Sequence, residues 1–129
     1  MAETVFDDLL RFARAHSPHA VAEGGSRDYR VFFRFAAEPS EVAVGRVLAF
    51  RAAMARHLGQ DCRITVFRKG CLEAGIDFRD QSAVDALALM ISSGGFDRLA
   101  YRYRIIYVGF PKGTGHESVY FSRKSLYNS

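Results

Sequence analysis

The segment "DYRVFFRF", from Asp28 to Phe35, constrains the fold most strongly, because apolar side chains occupy every second position. This alternation is typical of a β-strand that has one face in the core. The predicted inward side chains are Tyr29, Val31, Phe33 and Phe35. The predicted outward side chains are Arg30, Phe32 and Arg34. Two guanidinium groups around an aromatic ring make this outward face either a binding surface or the solvated side of a sheet.

The chain has 129 residues, a length that is typical of one domain with its own core. No apolar run approaches about 18 residues, so we predict no membrane-spanning segment. The opening segment "MAETVFDDLLRF" is acidic and amphipathic, which is unlike a secretory signal. Two cysteines, Cys62 and Cys71, are too few for a disulfide framework or a cysteine-based zinc site. A cytoplasmic protein is therefore expected.

The chain is mildly basic, with a formal net charge of +4 and a pI of about 9.3. Fifteen of its basic residues are Arg and three are Lys. The planar guanidinium matches phosphate and carboxylate and stacks on aromatic rings, although a GC-rich coding sequence would also favour Arg. Residues 98–129 carry six basic side chains and one acidic one, Glu117. The charge therefore predicts an acidic partner.

Hydrophobic periodicity and turn residues divide the chain into eight elements. The predicted elements are a helix from Val5 to Ala15, a strand over 28–36, a helix in "EPSEVAVGRVLAFRAAMARHLG", strands in "CRITVFR" and "LEAGIDF", a helix in "DQSAVDALALMISSGG", and strands in "LAYRYRIIYVGF" and "SVYFS". The resulting order is α-β-α-β-β-α-β-β.

From its second element onward this order is β-α-β-β-α-β, the ferredoxin-like split βαβ pattern, whose strands lie in the order 4-1-3-2. We predict a single α+β domain over 1–129. Its ferredoxin-like core spans 28–110, preceded by an additional N-terminal helix and loop over 1–27. A hairpin loop, an additional C-terminal strand and a basic tail follow over 111–129.

The hairpin between the second and third strands has a predictable register, because inward residues must oppose inward residues. A three-residue loop, Lys69-Gly70-Cys71, pairs Val66 with Ala74 and Ile64 with Ile76. The same register places Arg63 opposite Asp77 on the outward face.

In this topology the outward residues of three strands form one surface. Its predicted members are Arg30, Phe32, Arg34, Arg63, Phe67, Arg102 and Arg104. Such a surface could track nucleic acid phosphates and stack bases. The aromatic positions of the RNA-recognition-motif signature fall on Glu73 and Gly75, so only the order of elements is similar to that family. Glu73 and Asp77 also point outward and could instead neutralise the arginines as cross-strand ion pairs.

A protein partner is the alternative interpretation of the same face. The face could form a sheet-to-sheet homodimer or dock on a larger complex, as in an inhibitor or accessory protein, with Phe32, Phe67, Ile106 and Val108 as its apolar residues. A small-molecule enzyme in a dimeric α+β barrel is disfavoured, because no acid–base pair converges.

The string "KGTGHE" is rich in glycine but lacks the Lys-Ser/Thr ending of a phosphate-binding loop. We interpret it as a flexible hairpin loop whose Lys112 and His116 could touch a phosphate or an acidic partner. His16 and His19 are separated by a proline and have no accompanying carboxylate, so we expect no metal site. The sequence thus predicts a non-enzymatic binding module without catalytic residues or a cofactor.

Overall fold

The structure, a computed structural model, describes residues 6–22, 28–68 and 72–121. In these residues the chain is an α+β protein in which helices pack on one side of a five-stranded antiparallel sheet. The helices are α1 (Asp7–His16), α2 (Glu41–Leu58), α3 (Gln81–Ser92) and α4 (Asp97–Tyr103), with a 3-10 turn at Pro18–Ala20. The strands are β1 (Arg30–Phe35), β2 (Cys62–Arg68), β3 (Glu73–Phe78), β4 (Ile105–Gly109) and β5 (Val119–Tyr120). None of the described helices is long and apolar enough to cross a membrane.

The strands lie in the order β2-β3-β1-β4-β5, and every neighbouring pair is antiparallel. Strand β1 is central, between β3 and β4. Its predicted inward residues Val31, Phe33 and Phe35 are buried. Phe50 of α2 packs edge-on against two of these rings, with centroid distances of 4.9 Å to Phe33 and 5.6 Å to Phe35. The central strand and the helix above it therefore share one aromatic core.

Two helices have a side-chain cap at their N-terminus. The Ser40 hydroxyl accepts a hydrogen bond from the Ala43 backbone N–H (3.1 Å), and the Asp80 carboxylate accepts one from Ala83 (3.0 Å). These bonds satisfy backbone donors that a helix start leaves unpaired. Gly59 ends α2 in the left-handed conformation, at φ 65°.

Strand β2 contains an irregularity that corrects one predicted site residue. The pairs Arg63–Asp77 and Ile64–Ile76 are as predicted, but the register shifts before Val66, which pairs with Gly75 instead of Ala74. One extra residue in a strand turns the residues beyond it to the opposite face. Phe67, predicted to point outward, is therefore a core residue with 0% exposure. The predicted loop residues Lys69, Gly70 and Cys71 lie outside the described residues.

The predicted long fourth strand is wrong in its first half. Residues from Asp97 to Tyr103 form α4 instead, because Leu99, Ala100 and Tyr103 bury one face at helical spacing. Arg102 therefore lies on a helix. Arg104 lies at the junction of α4 and β4, with a left-handed φ of 58°. Neither residue extends the outward face of a strand.

Strand β4 is also out of phase with its predicted orientation. Phe35 pairs with Ile105 but Arg34 pairs with Tyr107, so the register shifts between these two pairs. As a result Val108, predicted to point outward, is buried in the core. With Ile106 and Val108 outward, strand alternation would place Tyr107 inward. Tyr107 lies beside Arg34 instead, and Ile106 is partly buried.

The chain around α1 covers the free edge of β2. The Phe6 N–H donates to the Phe67 carbonyl (3.0 Å), and the Ala22 N–H donates to the Ile64 carbonyl (2.9 Å). Helix α1 itself packs against α2 and β2 and buries Ala13. Its position at this edge satisfies backbone groups that an edge strand would otherwise expose.

Candidate functional site

The side of the sheet opposite the core is the first candidate surface, and we call it the outer sheet face. Its residues are Arg30, Phe32, Arg34, Arg63, Thr65, Val66, Arg68, Glu73, Gly75, Asp77 and Tyr107. Four of the predicted site residues are among them: Arg30, Phe32, Arg34 and Arg63. Arg68 joins them because of the irregularity in β2, which sequence alternation does not reveal.

Glu73 lies at the centre of this face between two arginines. Its Oε2 accepts a hydrogen bond from Arg34 Nε (3.2 Å), and its Oε1 accepts one from Arg68 Nε (3.0 Å). Only 8% of the Glu73 side chain is exposed. A carboxylate so little exposed is tolerated because charged partners satisfy it.

Both arginines that bind Glu73 also lie over aromatic rings. The Arg68 guanidinium carbon is 3.6 Å from the centroid of the Phe32 ring, and that of Arg34 is 4.5 Å from the Tyr107 ring. Tyr107 in turn packs against Tyr120 of β5, at a centroid distance of 4.7 Å. The positive charges on this face are thus fixed by ion pairing and by cation–π contact together.

A second ion pair lies further along the same strands. Arg30 Nε donates to Asp77 Oδ1 (2.6 Å), and its terminal nitrogen lies 3.3 Å from Asp77 Oδ2, a two-pronged arrangement. The Thr65 hydroxyl is 3.2 Å from Asp77 Oδ1. Arg63, near the end of β2, donates to Asp61 (3.2 Å). Each of these arginines therefore has a carboxylate of the same chain beside it.

Gly75 allows the side chains of Val66 and Phe32 to lie close against the sheet. A Cβ atom on this glycine would be 2.6 Å from Val66 Cγ1 and 3.0 Å from the Phe32 ring. Such distances are closer than packed carbon atoms tolerate. The outer sheet face is therefore a closely packed layer of ion pairs in which a phosphate would have to compete with Glu73 and Asp77.

Helix α4 carries the second candidate surface. We call Arg98, Tyr101, Arg102 and Arg104 the α4 surface; all four are exposed. Arg98 is three residues from Tyr101 and four from Arg102, spacings that bring side chains together on one side of a helix. The helical spacing of the apolar residues Leu99 and Tyr103 is the sequence signal that could have placed Arg98 and Tyr101 in the site. In a strand, Arg98 and Tyr101 would point to opposite faces.

The arginines of the α4 surface differ electrostatically from those of the outer sheet face. In the part of the chain that the structure describes, Arg98, Arg102 and Arg104 have no carboxylate within 4.0 Å of their guanidinium nitrogens. The backbone of Arg104 is fixed at both ends, because its N–H donates to Tyr101 (3.3 Å) and its carbonyl accepts from Ala36 (2.8 Å). The α4 surface thus carries three guanidinium groups that no described carboxylate neutralises at close range. The backbone of Arg104 is fixed by its two hydrogen bonds.

The remaining predicted site residues, Lys112 and His116, lie in the loop before β5. His116 Nε2 is 2.6 Å from Asp85 Oδ1 on α3, and Gln81 donates both to Asp85 (2.8 Å) and to the Thr114 carbonyl (3.0 Å). The hydrogen bonds from His116 and Gln81 lower the pKa of Asp85 below its ordinary value. The loop is therefore attached to α3 through the contact of His116 with Asp85 and the hydrogen bond of Gln81 to Thr114.

Other kinds of site find little support in the described residues. Burial raises the pKa of the Cys62 thiol to about 11, which keeps it protonated and unreactive at neutral pH. Within 6–22, 28–68 and 72–121, no three His, Cys, Asp or Glu side chains cluster in a way that could hold a metal ion. A surface cleft of about 520 Å³ lies between Phe6 and Pro39, and its lining includes none of the predicted site residues.

The chain matches no protein-family model, and comparison with curated proteins and with solved structures gives no significant match. Functional proposals therefore depend on the geometry of the two surfaces described above.

Proposed function

We propose that this protein is a binding module whose α4 surface contacts an acidic partner, with nucleic acid phosphates as the first candidate. The observation that supports this function is the contrast between the two sets of arginines. Those of the outer sheet face are bound to carboxylates of the same chain. Those of the α4 surface have no such partner among the described residues.

Phosphate binding follows from the chemistry of the guanidinium group. Its planar donors match two phosphate oxygens, and each phosphate that is neutralised releases condensed counterions. An arginine already bound to a buried carboxylate would first have to leave that partner, which costs free energy. The α4 arginines pay no such cost, so phosphates are expected there and not on the outer sheet face.

The fold assignment belongs to the same proposal. We assign residues 28–110 to a ferredoxin-like arrangement in which α4 is inserted between α3 and β4. The strand order β2-β3-β1-β4 and the alternation of β1, α2, β2, β3, α3 and β4 support this assignment. Helix α1 and strand β5 are additions at the two ends. A cytoplasmic location, where nucleic acid is accessible, completes the proposal.

A protein partner is the second candidate, and it is favoured by exposed apolar side chains. Val42 of α2 is 81% exposed and Leu89 of α3 is 68% exposed. Exposed apolar residues mark interaction surfaces when they form a patch. Both residues lie on helices, so this candidate differs from the sheet-to-sheet homodimer that is the alternative interpretation of the sequence. That homodimer would require the ion-paired outer sheet face to be covered by a second copy.

The proposal is tested by fluorescence anisotropy with a labelled oligonucleotide and two variants of equal net charge. Arg98→Glu with Arg102→Glu reverses two charges on α4. Arg56→Glu with Arg79→Glu reverses two exposed arginines elsewhere. We expect the first pair to weaken binding at least about tenfold and the second pair to change it by less than about threefold.

Two results would overturn the proposal. Equal weakening by both double variants would mean that only the net charge matters. No binding by the native protein at low salt would exclude nucleic acid as the partner, and the Val42 and Leu89 side chains would become the next to mutate. Thermal melting of each variant checks that the fold is retained.

A further inference from the structure

The α4 surface carries an exposed aromatic ring in addition to its arginines. Tyr101 is 51% exposed, although tyrosines usually bury most of their ring. It shares one side of the helix with Arg98, one turn earlier, and Arg102 follows it directly. An exposed ring on the same short helix as several arginines is a combination with which proteins bind unpaired bases and their phosphates.

The way in which α4 is held argues against a duplex as the partner. A helix that reads a duplex enters the major groove, which is about 8.5 Å deep. Helix α4 is instead packed into the domain, because Leu99, Ala100 and Tyr103 are buried, and Tyr103 contacts Phe50 of α2 (centroid distance 5.6 Å). Its seven residues span only about 10 Å. A short helix embedded in the surface offers a platform and does not project into a groove.

The backbone at Arg104 is an independent observation that points to function. Arg104 is the one residue other than glycine with a positive φ in the described part of the chain. A left-handed conformation costs a residue with a Cβ atom roughly 1–2 kcal/mol, and glycine is the usual residue at this position after a helix. Strain of this kind concentrates at functional sites. Arg104 is thus an exposed residue at the C-terminal end of α4, the helix that carries Arg98 and Arg102.

We infer that the α4 surface binds single-stranded nucleic acid, with a base stacked on Tyr101 and with phosphates held by Arg98, Arg102 and Arg104. This inference rests on the proposed function and names the strand form of its partner. Base stacking on an aromatic ring is tolerant of sequence, since every base has a flat face. Little sequence preference is therefore expected.

The test compares three labelled probes of about 15 nucleotides with the native protein: a thymidine single strand, a duplex, and an abasic strand that keeps the phosphates. The native protein should bind the thymidine strand more tightly than either other probe. Tyr101→Ala should weaken binding of the thymidine strand by about 5- to 150-fold, the range expected for loss of one stacked base. Tyr101→Phe should retain the native affinity. Tyr120→Ala, a change at another exposed tyrosine, should have no effect.

The abasic strand keeps the inference falsifiable if Tyr101→Ala weakens the fold, because it removes the base without changing the protein. Equal binding of thymidine and abasic strands by the native protein would overturn the inference. So would a duplex affinity equal to or above that of the single strand. If the Arg98→Glu, Arg102→Glu variant still loses binding in either case, the proposed function stands and only the single-strand inference fails. If the native protein binds none of the probes, both fail.

Discussion

The guanidinium of Arg68 lies 3.6 Å from the centre of the Phe32 ring and donates through Nε to Glu73. The same carboxylate accepts a hydrogen bond from Arg34, which lies over Tyr107. Charged side chains that would ordinarily be assigned to solvent therefore form a packed layer on the outer sheet face. This layer contributes to stability, whereas Arg98, Arg102 and Arg104 of the α4 surface are exposed and have no carboxylate within 4.0 Å among the described residues.

Loss of the central carboxylate should destabilise the protein. Glu73→Ala leaves the Arg34 and Arg68 guanidinium groups without their shared acceptor, so we expect the free energy of unfolding to fall by about 1.5–3 kcal/mol. Urea unfolding followed by circular dichroism measures the change. Arg63→Ala is the matched control, because it removes a pair with Asp61 in which both side chains are more than half exposed. That control should change the free energy by less than about 1 kcal/mol. Equal effects of the two substitutions would show that the outer sheet face is not a packed layer.

Two glycines should respond in opposite directions to a single methyl group. Gly75→Ala places a Cβ atom 2.6 Å from Val66 Cγ1, so we expect a loss of about 1–3 kcal/mol of stability. Gly45→Ala in α2 meets no atom within 4 Å, and alanine in a helix should raise stability by about 0.5–1 kcal/mol. Thermal or urea unfolding of both variants gives the comparison. A neutral Gly75→Ala would mean that Phe32 and Val66 do not lie flat over the sheet.

Arg104 should show a conflict between stability and binding. Arg104→Gly relieves the left-handed backbone, and we expect the free energy of unfolding to rise by about 0.5–1 kcal/mol. The same change removes a guanidinium from the α4 surface and should weaken binding of single-stranded nucleic acid. Arg104→Ala separates the two effects, because it also weakens binding but keeps the strain. Should Arg104→Gly leave the affinity unchanged, Arg104 would have no part in binding.

The contact between His116 and Asp85 should produce a pH effect in the acid range. Because the pKa of Asp85 is lowered on folding, its ionised form stabilises the folded protein above the ordinary pKa of 3.8. That contribution is lost as the pH falls through the lowered pKa. Titration of the Asp85 carboxyl by NMR should therefore show a pKa below 3.8 in the native protein and a value nearer 3.8 in His116→Ala. His19→Ala, a change of an exposed histidine in the 3-10 turn, is the control. An unchanged Asp85 pKa in His116→Ala would mean that the loop is not held to α3 through this pair.

The sequence predicted those parts of the fold in which local pattern and tertiary packing agree. The alternation of β1 matches its burial, and α2 ends at Gly59, the last residue of the predicted helical segment. The pairing of Ile64 with Ile76 follows from matching inward faces. In each case the local sequence pattern was enough to predict the structure, because the packing of neighbouring elements favours the same arrangement.

The wrong predictions lie where the local sequence does not show an extra strand residue, or where strand and helix periodicity compete in the same segment. The register shift in β2 turns Phe67 to the core face and Arg68 to the outer face of the sheet. Nothing in "CRITVFR" marks where the strand becomes irregular. In "LAYRYRIIY" the alternation of apolar and basic residues suggested a strand. The helix prevails there because Leu99, Ala100 and Tyr103 can all enter the core together. Both errors change the surface on which an arginine lies: Arg68 belongs to the outer sheet face, and Arg102 lies on a helix. The predicted site is therefore altered more than the predicted fold.

Phosphate binding by the α4 surface is tested most sharply by the salt dependence of single-strand binding. For single strands, the logarithm of the association constant falls with the logarithm of salt concentration with a slope of about −0.7 for each neutralised phosphate. Arg98→Ala with Arg102→Ala should therefore make the slope shallower by about 1.4, if each arginine holds one phosphate. Arg56→Ala with Arg79→Ala, which removes the same charge elsewhere, should leave the slope unchanged. A shallower slope for Arg98→Ala with Arg102→Ala alone is the expected result. An identical slope in that variant and in the native protein would show that these two arginines hold no phosphate.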